Sequence, residues 1–253
     1  MKKRIFAALT LLAVFLTSAA GCSQAPADPV ETVQKEVEKP AESNKDLEKQ
    51  LDWTELQKKN GDIIGWIYIP STTVNYPILR SENEDDDYYY LRRDLDKNAD
   101  DYGSIFMERF NDKNFMDPVT VLYGHTSFED PIPEGKEMFT DLHKYEEEQY
   151  LKDNPYIYVY TPEMNYQYQI FCSSIFDNRY ILGNYGFVDQ AEVQRFTEEV
   201  ESTDRHWINE DVKLPEKGNY LVLSTCTGLN EDTRLLIDSI LINAQENGTD
   251  EEQ

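Results

Sequence analysis

Between residues 66 and 242 the chain breaks into eight short runs of strand character, at about 66–69, 73–79, 103–107, 119–124, 155–161, 165–176, 219–224 and 234–242. Each is rich in β-branched or aromatic residues and is bounded by Gly, Pro, Asp or Asn, which mark turns. Eight such runs predict a mainly β domain, either a closed barrel or a sandwich. Seventeen tyrosines and eleven phenylalanines agree with this, because aromatic side chains cover a pleated sheet face well.

The flanks read differently. Residues 1–21 have the form of an export signal: Lys2, Lys3 and Arg4, then an apolar stretch from Ile5 to Leu16, then small residues. The sequence Ala19-Ala20-Gly21-Cys22 resembles a bacterial lipobox and makes Cys22 a lipidation candidate. The alternative is an uncleaved anchor, although the apolar run is short against the ~20 residues that span a bilayer. Either way the domain is expected outside the cell membrane and tethered at its N-terminus. Residues 22–43, rich in Pro, Ala, Glu, Gln and Lys, read as a lipidated or membrane-proximal tether.

Ser43 or Asn44 can cap a helix reaching about Lys59, with Leu47, Leu51 and Leu56 on its apolar side. The folded domain is assigned to 44–243 and a polar tail to 244–253. Some forty residues separate the sixth and seventh strand runs, and Val188 to Val200 within them has helical spacing of Val193, Phe196 and Val200. The acidic run from Glu82 to Asp87 lacks the spaced ligands and glycine of a calcium loop and is assigned no metal. The net charge of −25 argues against a nucleic-acid partner, which needs a basic face.

With Cys22 set aside, Cys172 and Cys226 remain. Alternation places Cys172 on the face of Tyr166, Tyr168 and Ile170, so a buried core thiol is expected there. Cys226 ends the apolar run Leu221-Val222-Leu223-Ser224-Thr225-Cys226. An unpaired thiol at a strand end in an exported protein is a candidate nucleophile. If the next strand pairs with this one, Arg234 returns beside Cys226, where a guanidinium favours thiolate and can hold an oxyanion. Of the three histidines, His125 ends a second apolar strand after Gly124 and suits a proton-transfer role. His143 and His206 lie in polar surroundings and read as surface residues.

Taken together, Leu223-Ser224-Thr225-Cys226, the turn Tyr123-Gly124-His125-Thr126 and Arg234 resemble the signature of sortases. The order of Asp62 to Pro70, Val74 to Ile78, Tyr89 to Leu91 and Tyr102 to Phe106 is similar to class B of that family, as are the N-terminal helix and the helical insertion before the cysteine strand. The resemblance implies an eight-stranded β-barrel and a cysteine transpeptidase without cofactor. It implies His125, Cys226 and Arg234 as catalytic residues, with Ser224 and Thr225 lining the substrate groove. It further implies surface proteins with a C-terminal sorting motif as substrates and peptidoglycan or its precursor as amine acceptor. A purely hydrolytic wall peptidase and a noncatalytic binding lipoprotein are the competing readings.

Overall fold

The structure is a computed structural model that describes residues 44–82 and 86–247. The expected signal sequence, Cys22 and the tether lie outside the described residues, as does the end of the tail. Among the described residues nine strands form the sheet: β1 (Ile63–Tyr68), β2 (Asn75–Leu79), β3 (Phe106–Met107), β4 (Val119–Tyr123), β5 (Tyr156–Tyr160), β6 (Met164–Asp177), β7 (His206–Ile208), β8 (Tyr220–Cys226) and β9 (Thr233–Glu246). Their order is β5-β1-β2-β3-β4-β8-β9-β6-β7, and β5 also pairs with β6. That last pairing closes eight strands into a barrel and leaves β7 outside as a short addition to β6. Closure removes the exposed sheet edges an open sheet would carry.

Inside the barrel, Ile67, Ile78, Leu122, Tyr168, Ile170, Leu221, Leu223, Leu235 and Ile237 form the main core. A second core lies on the outer face of β4, β8, β9 and β6. It gathers Val121, Val222, Leu236 and Phe171 with residues of the insertion, among them Ile181, Tyr185, Val193, Phe196 and Val200. The insertion contains two helices, Ile181–Tyr185 and Gln190–Glu201, and β7. Asp189 caps the longer helix by accepting from the Glu192 backbone N–H, and the expected Val193, Phe196, Val200 stripe is the face it buries.

Three expectations are corrected. The N-terminal helix is only Trp53–Lys59, capped by Asp52. Before it, Asn44 Oδ1 accepts from the N–H groups of Asp46 and Leu47, making a tight turn. The carbonyls of Leu47 and Lys49 are then taken by Asn165 Nδ2 at 2.7 and 3.0 Å. These bonds tie the segment to the barrel, and the chain stays irregular up to Asp52. At the other end, β9 runs to Glu246 and pairs it with Met164, so the sheet claims residues assigned to the tail; Ala244 is buried in the core.

The third correction concerns Cys172. It is fully buried, as expected, but on the outer face beneath the insertion, not beside Tyr166 and Tyr168. A register shift in the β6–β9 pairing between Ile170 and Cys172 inserts a residue and flips the alternation, which is what a bulge does. Directly across from Cys172 in that register is Asp238. Its side chain is buried and neither of its oxygens has a hydrogen-bond partner.

Burial pushes the Asp238 carboxyl well above its ordinary range, with Glu201 adding to the shift, and burial also pushes the Cys172 thiol up. A carboxyl whose folded pKa is raised binds its proton more tightly in the folded state. Stability then falls as pH rises from the unfolded carboxylate range through the folded value. Asp238→Asn mimics the protonated acid and removes this penalty. Thermal melts should show the variant gaining on the parent protein at pH 8 by more than at pH 5, by a few degrees, at roughly 2–4 °C per kcal/mol for a domain of this size.

Candidate active site

Strand pairing builds the site. β4 and β8 run parallel, with Tyr123 opposite Ser224, so that Gly124 and His125 leave the sheet beside Thr225 and Cys226. β8 and β9 are antiparallel and Cys226 faces Arg234 in register. Parallel neighbours end on the same side of a sheet, and a hairpin returns to it. The three expected residues therefore meet at one rim of the barrel although 109 positions of sequence (234 − 125) separate the first from the last. They line a cavity of about 370 Å³ with Leu91, Tyr123 and Tyr180.

Each side chain is held by identifiable partners. His125 Nε2 lies 2.6 Å from the Leu91 carbonyl, which can only accept, so Nε2 carries a hydrogen and Nδ1 is left to exchange a proton. Leu91 belongs to the 3₁₀ turn Tyr89–Arg92. Arg234 Nη1 donates to the carbonyls of Glu231 and Thr233 at 2.9 and 2.8 Å. These bonds fix one edge of the guanidinium and leave its other donors for a ligand in the cavity. Cys226 is a free thiol and partly exposed.

Thr225 and Ser224 have different positions. Both line the cavity, with Ser224 on the same outward side as Cys226. Thr225 is buried, and its hydroxyl donates to the Gly124 carbonyl at 2.7 Å. It ties the ends of β4 and β8 together. Behind the cavity-lining Tyr180, Glu108 is buried and accepts from the Tyr180 hydroxyl at 2.8 Å. Burial raises its carboxyl while the hydroxyls of Tyr180 and Tyr123 partly oppose that rise. The Tyr180–Glu108 bond braces the insertion against the residue that follows β3.

His206 is exposed and its Nδ1 sits 2.6 Å from the Thr203 carbonyl, in keeping with a surface role. His143 is not a surface residue of that kind. It lies in the 3₁₀ helix Thr140–Glu146, with Nε2 3.1 Å from the Cys226 carbonyl and Nδ1 2.6 Å from Glu146 Oε1. Its polar sequence neighbours hid this, because a 3₁₀ turn presents one residue in three to the barrel. Only the apolar spacing of Phe139, Leu142 and Tyr145 signalled that the segment packs down.

A sortase-domain family profile matches residues 67–241. Sortase B of Listeria monocytogenes is 30% identical over 186 residues, which cover 74% of this chain and 71% of that protein. The chain belongs to the sortase family. Sortase B of Staphylococcus aureus is likewise 30% identical, over 70% of this chain and 68% of the relative. The structure of a Staphylococcus aureus sortase B–substrate complex superposes with a TM-score of 0.62 at 28% identity, covering 75% of this chain and 84% of that one. The present sortase is thus a class B cysteine transpeptidase with the family's closed barrel.

Gly124 sets how closely the histidine strand approaches its neighbours in this sortase. A Cβ added there would meet Ile105 Cδ1 at 2.5 Å and the Phe139 ring at 2.6 Å, and both residues are buried. Gly124→Ala should cost about 1–3 kcal/mol through overpacking. It should also displace His125, lowering kcat/KM on the order of 10²-fold. Urea melts and steady-state kinetics of the purified variant check the two effects.

Proposed function

We propose that this sortase cleaves a C-terminal sorting motif of exported surface proteins after a threonine and transfers the protein to a cell-wall amine. Cys226 Sγ attacks the threonine carbonyl carbon, the amide C–N bond breaks, and a thioester forms on the enzyme. His125 gives a proton to the departing amine. It then takes one from the incoming amine, whose nitrogen displaces the Cys226 thiolate. Arg234 supplies fixed donors to the carbonyl oxygen as it gains charge. Ser224 and Thr225 line the groove that receives the peptide, and Thr225 also holds the two strand ends together.

The observation that carries this reading is the register that sets Cys226 opposite Arg234 with the β4 terminus alongside. The Staphylococcus aureus sortase B–substrate complex supports a substrate of the sorting-motif kind for this chain. An amine acceptor in peptidoglycan or its precursor fits an enzyme outside the cell. Among the described residues no helix is long and apolar enough to cross a membrane. We assign attachment to the segment before residue 44, through a lipid on Cys22 or an uncleaved signal anchor, and N-terminal mass spectrometry of the membrane-bound protein separates the two.

The test uses a threonine-containing sorting peptide with and without an added glycine-type amine. Amine should divert product from hydrolysis to transfer. If water alone resolves the intermediate, a hydrolytic peptidase replaces the proposal. His125→Ala should block turnover in both conditions. Arg234→Lys keeps the charge but loses the planar fork, and kcat/KM should fall on the order of 10²-fold. Nearly full turnover by Arg234→Lys would make the arginine a simple counter-charge.

A further inference from the structure

The hydroxyl and imidazole contacts behind the cysteine fix where the protons lie. Thr225 Oγ1 donates its single hydrogen to the Gly124 carbonyl at 2.7 Å. The 2.7 Å contact between Thr126 Oγ1 and Thr225 Oγ1 therefore has Thr126 donating, which uses the only hydrogen of Thr126. His143 Nε2 then faces two acceptors, the Cys226 carbonyl at 3.1 Å and Thr126 Oγ1 at 3.4 Å, and must carry a hydrogen to be stable there. The other ring nitrogen, Nδ1, is 2.6 Å from Glu146 Oε1. Arg205 Nη2 lies 3.2 Å from Glu146 Oε2 and favours the ionised carboxylate, which can only accept. Both ring nitrogens of His143 are thus donors, and only the imidazolium has two.

We propose that His143, held as an imidazolium between Glu146 and the Cys226 carbonyl, is a positioning residue that locks the ends of β4 and β8 together and favours the Cys226 thiolate. The chain of contacts runs from Arg205 through Glu146 and His143 to Cys226, and from His143 through Thr126 and Thr225 to Gly124, the residue before His125. One cation therefore orients the nucleophile and the strand that presents the proton donor. Its contact is with the backbone carbonyl of the nucleophile, while Arg234 pairs with the same residue from β9. Phe128 shields His143: the ring stands edge-on to it with centroids 5.9 Å apart. The other charges of the same 3₁₀ helix, Lys144 and Asp141, pair with each other at 3.0 Å.

This inference rests on Cys226 as the nucleophile, but its first test does not. Nitrogen-15 NMR of the histidine rings in the unsubstituted protein should show both nitrogens of His143 protonated at pH 7. A neutral tautomer would overturn the proposal whatever the role of Cys226. The second test follows iodoacetamide alkylation of the Cys226-containing peptide against pH. His143→Gln keeps a donor for the Cys226 carbonyl and loses the charge. Alkylation at pH 7 should slow about 10-fold and the profile should move up by about one pH unit, with kcat reduced more than KM is changed. His143→Arg restores charge and donors and should recover most of the alkylation rate. An unchanged profile in His143→Gln contradicts the inference. So does a folded His143→Arg protein that alkylates as slowly as His143→Gln.

Discussion

The site depends on the parallel pairing of β4 with β8. Parallel strands cannot be joined by a short turn, so the connection from Tyr123 to Tyr220 takes in β5, β6 and the whole insertion before the chain returns. What this arrangement secures is that two strand ends, carrying His125 and Cys226, emerge on the same rim. The β8–β9 hairpin then adds Arg234 by simple antiparallel register. A slip of one residue in either pairing would turn Cys226 or Arg234 to the opposite face. The apolar alternation of Leu221, Leu223, Leu235 and Ile237 into the barrel core and Val222 and Leu236 onto the outer face opposes such a slip.

The insertion has two physical roles in this scheme. Its helices cover the outer face of the strands that carry the site, burying Val121, Val222 and Leu236 that would otherwise face water, at roughly 25 cal/mol per Å² of apolar area covered. Its first segment also forms one wall of the groove, braced by the Tyr180–Glu108 hydrogen bond. Asp238 and Cys172 lie beneath the same cover. A buried acid without partners is a cost the fold tolerates in its neutral form.

The eight barrel strands, the pairing of Cys226 with Arg234 and the helical stripe from Val193 to Val200 were legible because period-two and helical apolar patterns are local signals, whereas the three-residue β7 was too short to show one. The strand pattern alone did not separate barrel from sandwich, since the choice rests on β5 pairing with β6, a contact that no local pattern encodes; the resemblance carried by the motifs around His125, Cys226 and Arg234 implied the barrel. The long N-terminal helix failed because Asn165, more than a hundred residues away, ties that segment to the barrel. Cys172 turned to the other face because a bulge intervened. His143 escaped notice for the same kind of reason: Asp141, Lys144 and Glu146 surround it in sequence, yet its ring reaches the Cys226 carbonyl across 83 positions.

The central claim is that Cys226 becomes acylated. Rapid quenching of the protein with a threonine-containing sorting peptide, followed by intact-mass and peptide mapping, measures this directly. The account predicts a mass increase equal to the N-terminal peptide fragment, located on Cys226, removed by hydroxylamine and absent in Cys226→Ala. Peptide cleavage by Cys226→Ala at the parent rate, or an adduct on another residue, would contradict it.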